Sequence, residues 1–335
     1  MGGTKRIAFM GSDLIALPAL RFLDDQQDVE LAGVFTQPDR PAGRGKRLRV
    51  NPIKEWATKR GIECLAPEKP DAAEAAWLQS KRISLVMVMA YGHLLKPDLI
   101  DSVGGRIYNL HASLLPSYRG ASPIETALAE GERSTGVSLM RIISKMDAGP
   151  LVDQQKTDLK DDEDGPSLRE KLALLCPALL KRNLNHLLAG SAKEMTQDEA
   201  HATYCRILRK EDGNLDFSMP ADTLARRVAA FKAWPGCFFA FGDVRIKVGA
   251  ALALDASTNC VPGEIIGERN GALCLATGEG TLAVLEMQRP GGKMLDASSF
   301  LRGFPLPDGT RLPTISNTPL VGDHAGFFRK NKYVD

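Results

Sequence analysis

The sequence predicts an α/β protein with a doubly wound, mostly parallel sheet, followed by a smaller OB-like β-barrel domain. Three observations predict this fold class. In the first 190 residues, apolar runs alternate with amphipathic stretches, as strands alternate with crossover helices. One run, SLVMVMAY, is apolar throughout, which is typical of a parallel strand buried on both faces. After about residue 207, short β-type runs separated by glycine turns predominate, a pattern typical of small barrels.

The elements of the first half follow from hydrophobic periodicity and from the residues that end each segment. The predicted strands are RIAFMG, VELAGVFT, SLVMVMAY, RIYNLHAS, STGVSLMRI and PLVDQQKTDL. The predicted helices are LPALRFLDD, a stretch near residues 52–60, a segment that begins near Pro123, and SLREKLALLCPALLKRNLNHLLAG, which ends at Gly190.

The second half contains one predicted helix, ADTLARRVAAFKA, and five short predicted strands: CFFAF, VRIKVGAAL, GEIIGE, ALCLATG and TLAVLEMQ. A chain of 335 residues suits two domains. We therefore predict a catalytic domain over residues 1–190, a polar linker over 191–206, and a C-terminal domain over 207–335. The last 25 or so residues lack periodicity and are expected to lie on the surface as an irregular tail.

Composition excludes several classes of protein. The chain is 44% hydrophobic and 25% charged, and no apolar run approaches the roughly 20 residues that span a bilayer. The N-terminus lacks the pattern of a secretory signal, so a cytoplasmic location is expected. The six cysteines form no C-x-x-C pair and the five histidines lack metal-ligand spacing, so we expect no metal site.

Asn109 and His111 stand two residues apart at the end of a predicted strand, so both point to the same side. Open α/β sheets bind ligands at this end of their strands. Asp147 follows in the turn MDAGP, from where a carboxylate can reach His111. An amide, an imidazole and a carboxylate suffice for acyl transfer to an amine. Each residue also has a plainer interpretation, because histidines are commonly structural and Asn and Asp are common in turns.

The segment NLHASLLPSYRGASPI, the MDAGP turn and the AYG after SLVMVM resemble the 10-formyltetrahydrofolate-dependent formyltransferases. The resemblance implies that Asn109, His111 and Asp147 form a catalytic triad, and that 10-formyltetrahydrofolate is the formyl donor. It also implies that the SLLP segment lines the folate site. The residues expected to contact the folate are Met89, Ala90, Tyr91, Leu94, Ser113, Leu114, Leu115, Pro116 and Ile142.

Residues 36–60 carry eight Lys or Arg against two acidic residues, a local charge of +6. A charge run of this kind is commonly a solvated face. However, TQPDRPAGRGKRL resembles the basic loop of the methionyl-tRNA formyltransferase branch of the family, and AFKAWPG resembles the start of that branch's C-terminal domain. The residues expected to bind tRNA are Arg40, Arg44, Lys46, Arg47 and Arg49.

The resemblance covers about residues 5–300 and implies formyl transfer to methionyl-initiator tRNA by a monomer without a membrane partner. Two alternatives stay open from the residues alone. One is a transferase or hydrolase of the same fold that acts on a small amine, and the other is a non-catalytic RNA-binding protein. The C-terminal half offers further basic residues for a shared tRNA-binding stripe, although some of them are expected to face the core of the domain or its acidic residues. They are Arg206, Arg209, Lys210, Arg226, Arg227, Lys232, Arg245 and Lys247.

Overall fold

A computed structural model describes residues 4–42, 47–255 and 259–324 of the chain. The chain folds into two units. Unit 1 comprises Met1–Gly120, Ser134–Asp158 and Arg169–Thr203. Unit 2 comprises Ala121–Arg133, Leu159–Leu168 and Tyr204–Asp335. The domain boundaries at residues 190 and 207 stay predictions.

Several helices begin where the sequence supplies a cap or a proline. Asn51 accepts a hydrogen bond from the Ile53 N–H, and Asp71 and Glu74 form a capping box. No helix in the described part of the chain is long and apolar enough to cross a membrane. The helices are α1 (Leu17–Asp24), α2 (Pro52–Lys59), α3 (Ala72–Ser80), α4 (Pro97–Asp101), α5 (Pro123–Ala129), α6 (Gly165–Ala189), α7 (Ala221–Ala230) and α8 (Ala297–Gly303).

The strands of unit 1 are β1 (Lys5–Gly11), β2 (Val29–Phe35), β3 (Arg40–Ala42), β4 (Arg47–Arg49), β5 (Cys64–Leu65), β6 (Leu85–Met89), β7 (Ile107–His111), β8 (Arg119–Gly120), β9 (Ser134–Arg141) and β10 (Leu151–Asp158). Those of unit 2 are β11 (Tyr204–Cys205), β12 (Cys237–Phe241), β13 (Val244–Leu254), β14 (Ile265–Arg269), β15 (Ala272–Ala276), β16 (Thr281–Gln288), β17 (Leu295–Asp296) and β18 (Val321–Gly322).

Unit 1 is built on a seven-stranded sheet of order β10-β9-β7-β6-β1-β2-β5. The five strands from β7 to β5 are parallel, whereas β9 and β10 pair antiparallel to their neighbours. All five residues of β6 are buried, as its unbroken apolar run predicts. Chain order reverses between β1 and β6, so the carboxyl ends of the central strands border the crevice in which such sheets bind ligands.

Unit 2 contains an antiparallel sheet of order β12-β13-β16-β15-β14, and β17 pairs with β16. The helices α7 and α8 belong to the same unit. The predicted fold class, a mostly parallel α/β domain followed by a small β domain, is confirmed. The six cysteines are free thiols.

The C-terminal tail departs from the expected surface segment. Leu306, Leu312 and Leu320 are buried, and β18 pairs antiparallel with β11. Arg206, which is 2% exposed, forms an ion pair of 2.6 Å with Asp212 and donates to the carbonyl oxygens of Thr318 and Pro319. The tail up to residue 324 is therefore an integral part of unit 2.

The predicted basic stripe of the C-terminal half is only partly present. Arg206 and Arg227 are buried, as expected for some members of the set, and cannot belong to an exposed stripe. Arg226 and Lys232 form ion pairs with Asp222 and Asp164, respectively. The basic side chains of this set that are exposed are Lys210, Lys232, Arg245 and Lys247.

Candidate active site

The parallel strand β7 carries Asn109 and His111 at its carboxyl end. Asn109 lies opposite Val88 of β6 and Met140 of β9, so the central sheet fixes its backbone on both sides. The Asn109 side chain is half-buried and forms no hydrogen bond with any residue that the structure describes. Its amide is therefore available to a ligand.

The His111 ring is 6% exposed and lies between two partners. Its Nε2 is 2.9 Å from the carbonyl oxygen of Tyr118, and its Nδ1 is 3.8 Å from Oδ2 of Asp147. A carbonyl oxygen only accepts hydrogen bonds, so Nε2 must carry a proton. This leaves Nδ1 as the nitrogen that faces Asp147.

Asp147 lies in the turn between β9 and β10 and adopts a left-handed conformation with φ of 48°. Asp is one of the few residues other than glycine that tolerate this region. Its Oδ2 accepts a hydrogen bond of 2.8 Å from the Gly120 N–H. The turn also requires Gly149, because a Cβ there would lie 1.8 Å from the carbonyl oxygen of Arg141. The structure thus places Asp147 beside His111, and Asn109 lies two residues before His111 on the same strand.

The predicted folate-lining segment SLLP follows β7 and is held by polar side chains of β9 and β10. Ser138 Oγ donates to the Ser113 carbonyl oxygen at 2.6 Å and accepts from the Leu115 N–H at 3.0 Å. Gln154 Nε2 donates to the Leu115 carbonyl oxygen at 2.9 Å. Ser113 and Leu115 are buried, whereas Leu114 and Pro116 are half-buried. These bonds fix the backbone of the segment next to His111.

The other residues predicted to contact the folate are distributed unevenly. Met89 and Tyr91 are buried, Ala90 is exposed, and Leu94 is 66% exposed. Burial raises the pKa of the Tyr91 hydroxyl above its usual value, and that hydroxyl has no hydrogen-bond partner within the described ranges. Met89 and Tyr91 therefore pack around the end of β6, and their contact with the folate stays a prediction.

Ile142 borders a cavity of about 270 Å³ between α4 and the segment that follows β9. The Ile142 N–H donates to the Ile107 carbonyl oxygen, but neither Ile143 nor Ser144 forms a hydrogen bond with the described residues. The backbone groups of these two residues are therefore free to bind a ligand, and the cavity wall also includes the apolar Pro97 and Ile100. A flat ligand with polar edges suits such a cavity.

A larger cavity, of about 340 Å³, contains none of the predicted site residues. It is lined by Tyr108, Arg141 and Glu194, among others. Tyr108 Oη donates a hydrogen bond of 3.2 Å to the Glu194 carboxylate, and Arg141 Nη2 forms an ion pair of 3.0 Å with it. Burial, together with the charge of Glu194, raises the pKa of Tyr108 to about 12. Because Glu194 pairs with both Tyr108 and Arg141, and the cavity contains no residue of the predicted triad, it is a weaker candidate site despite its size.

Sequence reasoning missed a buried polar network beside Asp147. Arg119 is fully buried and donates to Gln197 and Glu199, and Gln197 donates to the backbone of the Asp147 turn. Gln197 lies in the segment predicted to be a linker, and its polar neighbours give no sign of its burial. The burial of Arg119 could have been suspected, because it is the one charged residue in the motif NLHASLLPSYRGASPI that precedes Asp147.

The basic loop is anchored at both ends. Asp39 accepts from the Asn51 N–H at 2.9 Å and from Lys54 Nζ at 2.7 Å, and the bond to Lys54 lowers the pKa of Asp39. Between these anchors, β3 and β4 pair as an antiparallel hairpin. Arg40 is exposed and forms an ion pair of 2.9 Å with Glu68. Arg44 and Lys46 lie outside the described residues, as do the side chains of Arg47 and Arg49.

Two family models match the chain. The model described as formyl transferase matches residues 5–184, and the model described as formyl transferase, C-terminal domain, matches residues 207–305. The methionyl-tRNA formyltransferase of Gluconobacter oxydans is 37% identical over 310 residues, covering 92% of this chain and 99% of that protein. The methionyl-tRNA formyltransferase of Trichlorobacter lovleyi is 36% identical over 311 residues, covering 92% and 96% of the two chains.

A solved structure shares the fold at lower identity. The N-formyltransferase from Helicobacter canadensis, in complex with folinic acid and dTDP-3-aminofucose, matches with a TM-score of 0.63 and 16% identity. The match covers 86% of this chain and 100% of that one. The first family model spans more than half of the chain, and the curated relatives match along nearly their whole length. The chain therefore belongs to the formyl transferase family.

Proposed function

We propose that the protein transfers a formyl group from 10-formyltetrahydrofolate to the α-amino group of methionyl-initiator tRNA. The proposal rests on three groups near the carboxyl end of β7: the free amide of Asn109, the imidazole of His111 and the carboxylate of Asp147. Relatives named methionyl-tRNA formyltransferase, which match both parts of the chain, support this acceptor over a small amine.

In the proposed mechanism, the neutral α-amino group of methionine attacks the formyl carbon. Such amino groups titrate at about pH 7.7–8.0, so a substantial fraction is neutral at physiological pH. Attack places negative charge on the formyl oxygen, and the Asn109 amide and the protonated His111 ring, through Nδ1, donate to it. A donor of this kind contributes about 3–4 kcal/mol to the stability of the transition state.

Asp147 would accept, through water, the proton that the amine loses, while its charge orients the His111 ring. The tetrahedral intermediate then collapses: the bond between the formyl carbon and N10 of the folate breaks, and N10 takes up a proton. The product is N-formylmethionyl-tRNA. The reaction needs no covalent intermediate with the protein, which agrees with the absence of a Ser or Cys nucleophile from the proposed triad.

The pteridine ring of the donor would occupy the cavity beside Ile142. The apolar wall of α4 would cover the ring face, and the backbone groups of Ile143 and Ser144 would recognise its polar edge. The SLLP segment, which Ser138 holds beside His111, would line another part of the donor site. We also propose that the protein acts as a monomer in the cytoplasm, since one chain supplies the whole triad.

The basic loop is proposed to contact the tRNA. Replacing Arg44, Lys46 and Arg47 by alanine should raise the KM for methionyl-tRNA with little change in the KM for the donor. Each phosphate contact releases counterions, so affinity for tRNA falls as the salt concentration rises. The plot of log affinity against log salt should therefore become shallower, by about 0.9 or less for each contact that is lost. The matched control replaces Lys5, Lys181 and Lys193, three exposed lysines of unit 1. If the two triple variants changed the KM for methionyl-tRNA and the salt dependence equally, the loop would be only a solvated charged surface.

The acceptor can be tested directly. The protein is incubated with 10-formyltetrahydrofolate and, in separate reactions, methionyl-initiator tRNA, methionyl-elongator tRNA, free methionine or an amino-sugar nucleotide. Formylation of the methionyl-initiator tRNA alone is expected. Faster formylation of the amino sugar or of free methionine would contradict the proposed acceptor, and no transfer to any of the four would contradict the proposed activity.

A further inference from the structure

Gln197 holds the turn that carries Asp147. Its side-chain amide is 5% exposed, and Nε2 donates to the carbonyl oxygen of Asp147 at 2.9 Å and to that of Gly149 at 2.7 Å. The two carbonyls lie on either side of Ala148, so one amide group closes the turn. Asp147 has a positive φ, a conformation that persists only where the surroundings favour it.

Arg119 fixes the orientation of that amide. Its Nε and Nη2 donate to Gln197 Oε1 at 3.1 and 2.8 Å, which leaves only Nε2 of Gln197 to face the turn. The Arg119 side chain is fully buried. A planar guanidinium offers donors in a fixed fork, which suits this role better than a lysine ammonium would.

The same arginine reaches the other flank of the turn. Its Nη2 donates to Glu199 Oε1 at 2.9 Å, and Glu199 Oε2 accepts from Lys145 Nζ at 2.6 Å. Hydrogen bonds from Arg119 and Lys145 lower the pKa of Glu199 to about 2, so Glu199 is ionised at any physiological pH. Lys145 lies two residues before Asp147 along the chain.

The backbone on either side of Arg119 contacts the catalytic side chains themselves. The Tyr118 carbonyl oxygen accepts from His111 Nε2, and the Gly120 N–H donates to Asp147 Oδ2. Thr203 holds this segment, because its carbonyl oxygen accepts from the Arg119 N–H and its hydroxyl accepts from the Tyr118 N–H. Residues 118–120 thus connect both His111 and Asp147 to the network of Arg119.

We propose that Gln197 and Arg119 are positioning residues that, with the Glu199–Lys145 pair, set the distance between Asp147 and His111. They touch no substrate and act only through Asp147. The inference rests on the proposed function, since it assigns a role in that reaction. A carboxylate displaced by about 1 Å loses much of its catalytic effect.

The test is Gln197→Glu, which keeps the size of the side chain and its acceptor to Arg119 but removes both donors to the turn. We expect kcat to fall about 30-fold, with both KM values changed less than about twofold, because the turn affects chemistry rather than binding. The matched control is Gln155→Glu, since Gln155 Oε1 also accepts from an arginine, Arg182, at 2.9 Å. The control should stay within about twofold of the parent.

If Gln197 had a purely structural role, Gln197→Glu would lower kcat equally in the parent and in a variant that lacks the Asp147 carboxylate. In an Asp147→Asn background, Gln197→Glu should lower kcat less than about threefold, because the group that it positions is gone. Equal losses in the two backgrounds, or a rise in KM without a fall in kcat, would overturn the proposal. Should Gln197→Glu fail to fold, Lys145→Met tests the exposed flank, with an expected fall in kcat of at least about threefold and unchanged KM.

A second measurement does not depend on activity. The Gly120 amide proton, bound to Asp147 Oδ2, should exchange with solvent at least about tenfold faster in Gln197→Glu than in Gln155→Glu, while amides of β6 keep their protection. Unchanged exchange at Gly120 would overturn the proposal. A parent protein that does not formylate methionyl-tRNA would instead contradict the proposed function, and the exchange result would still stand.

Discussion

Replacing Asp147 by asparagine is expected to lower kcat for formyl transfer by at least about a hundredfold, the usual effect of losing a general base. Asparagine is nearly the same size, tolerates the left-handed φ of 48° at this position, and can accept the Gly120 N–H through its Oδ1. The turn should therefore keep its conformation. What disappears is the negative charge that orients His111 and accepts the proton of the amine.

The experiment measures kcat and both KM values for the parent, for Asp147→Asn, and for Asp161→Asn, which removes an exposed carboxylate elsewhere. The KM for the donor should stay within about twofold of the parent value, because other residues border the cavity proposed to bind the folate. The control should have normal kinetics. Near-normal turnover of Asp147→Asn would show that Asp147 is not a catalytic residue and that its turn has a purely structural role.

The fold was predictable where burial leaves a regular pattern in the sequence. The strand β6 is buried along its whole length, so its sequence is apolar without interruption. The helices α3 and α4 were missed. The segment AAEAAWLQS has no clear polar face, and α4 has only five residues. The sequence thus revealed an element where it was long enough to show either a continuous apolar run or a regular apolar period.

The C-terminal tail illustrates the same limit. Leu306, Leu312 and Leu320 are buried, but they pack outside regular elements and so leave no periodic spacing. Only the three-dimensional arrangement shows that the carbonyls of Thr318 and Pro319 satisfy the buried Arg206. A buried charge needs such partners, and they come from more than 100 positions away along the chain.

The sequence revealed the proposed triad, because its polar residues lie at a recognisable spacing and in a recognisable turn, but it did not reveal the residues that support the triad. Asn109 and His111 lie at a spacing of two on one strand, and Asp147 lies in a turn whose Gly149 and Pro150 are visible in the sequence. Gln197 leaves no such signal, because a single buried amide in a polar segment resembles any exposed glutamine. The proposed catalytic residues were therefore recognisable in the sequence, whereas the side chains that hold them in place could be identified only in the structure.

The second large effect concerns the oxyanion. Asn109→Ala should cost about 2–4 kcal/mol of transition-state stabilisation, which corresponds to a fall in kcat of about 30- to 1000-fold. The fold should survive, because the Asn109 side chain is half-buried and forms no hydrogen bond with the described residues, while its backbone pairs with β6 and β9 whatever its side chain.

The division of this loss between kcat and KM distinguishes an oxyanion donor from a substrate-binding residue. The formyl oxygen gains negative charge only as the amine attacks, so a donor to that oxygen binds the transition state more strongly than the ground state. Asn109→Ala should therefore lower kcat and leave both KM values nearly unchanged. Asn109→Asp should be slower still, since a carboxylate of the same size repels the developing charge. If Asn109→Ala raises KM at constant kcat, or if Asn109→Asp is the faster of the two variants, the amide does not stabilise an oxyanion.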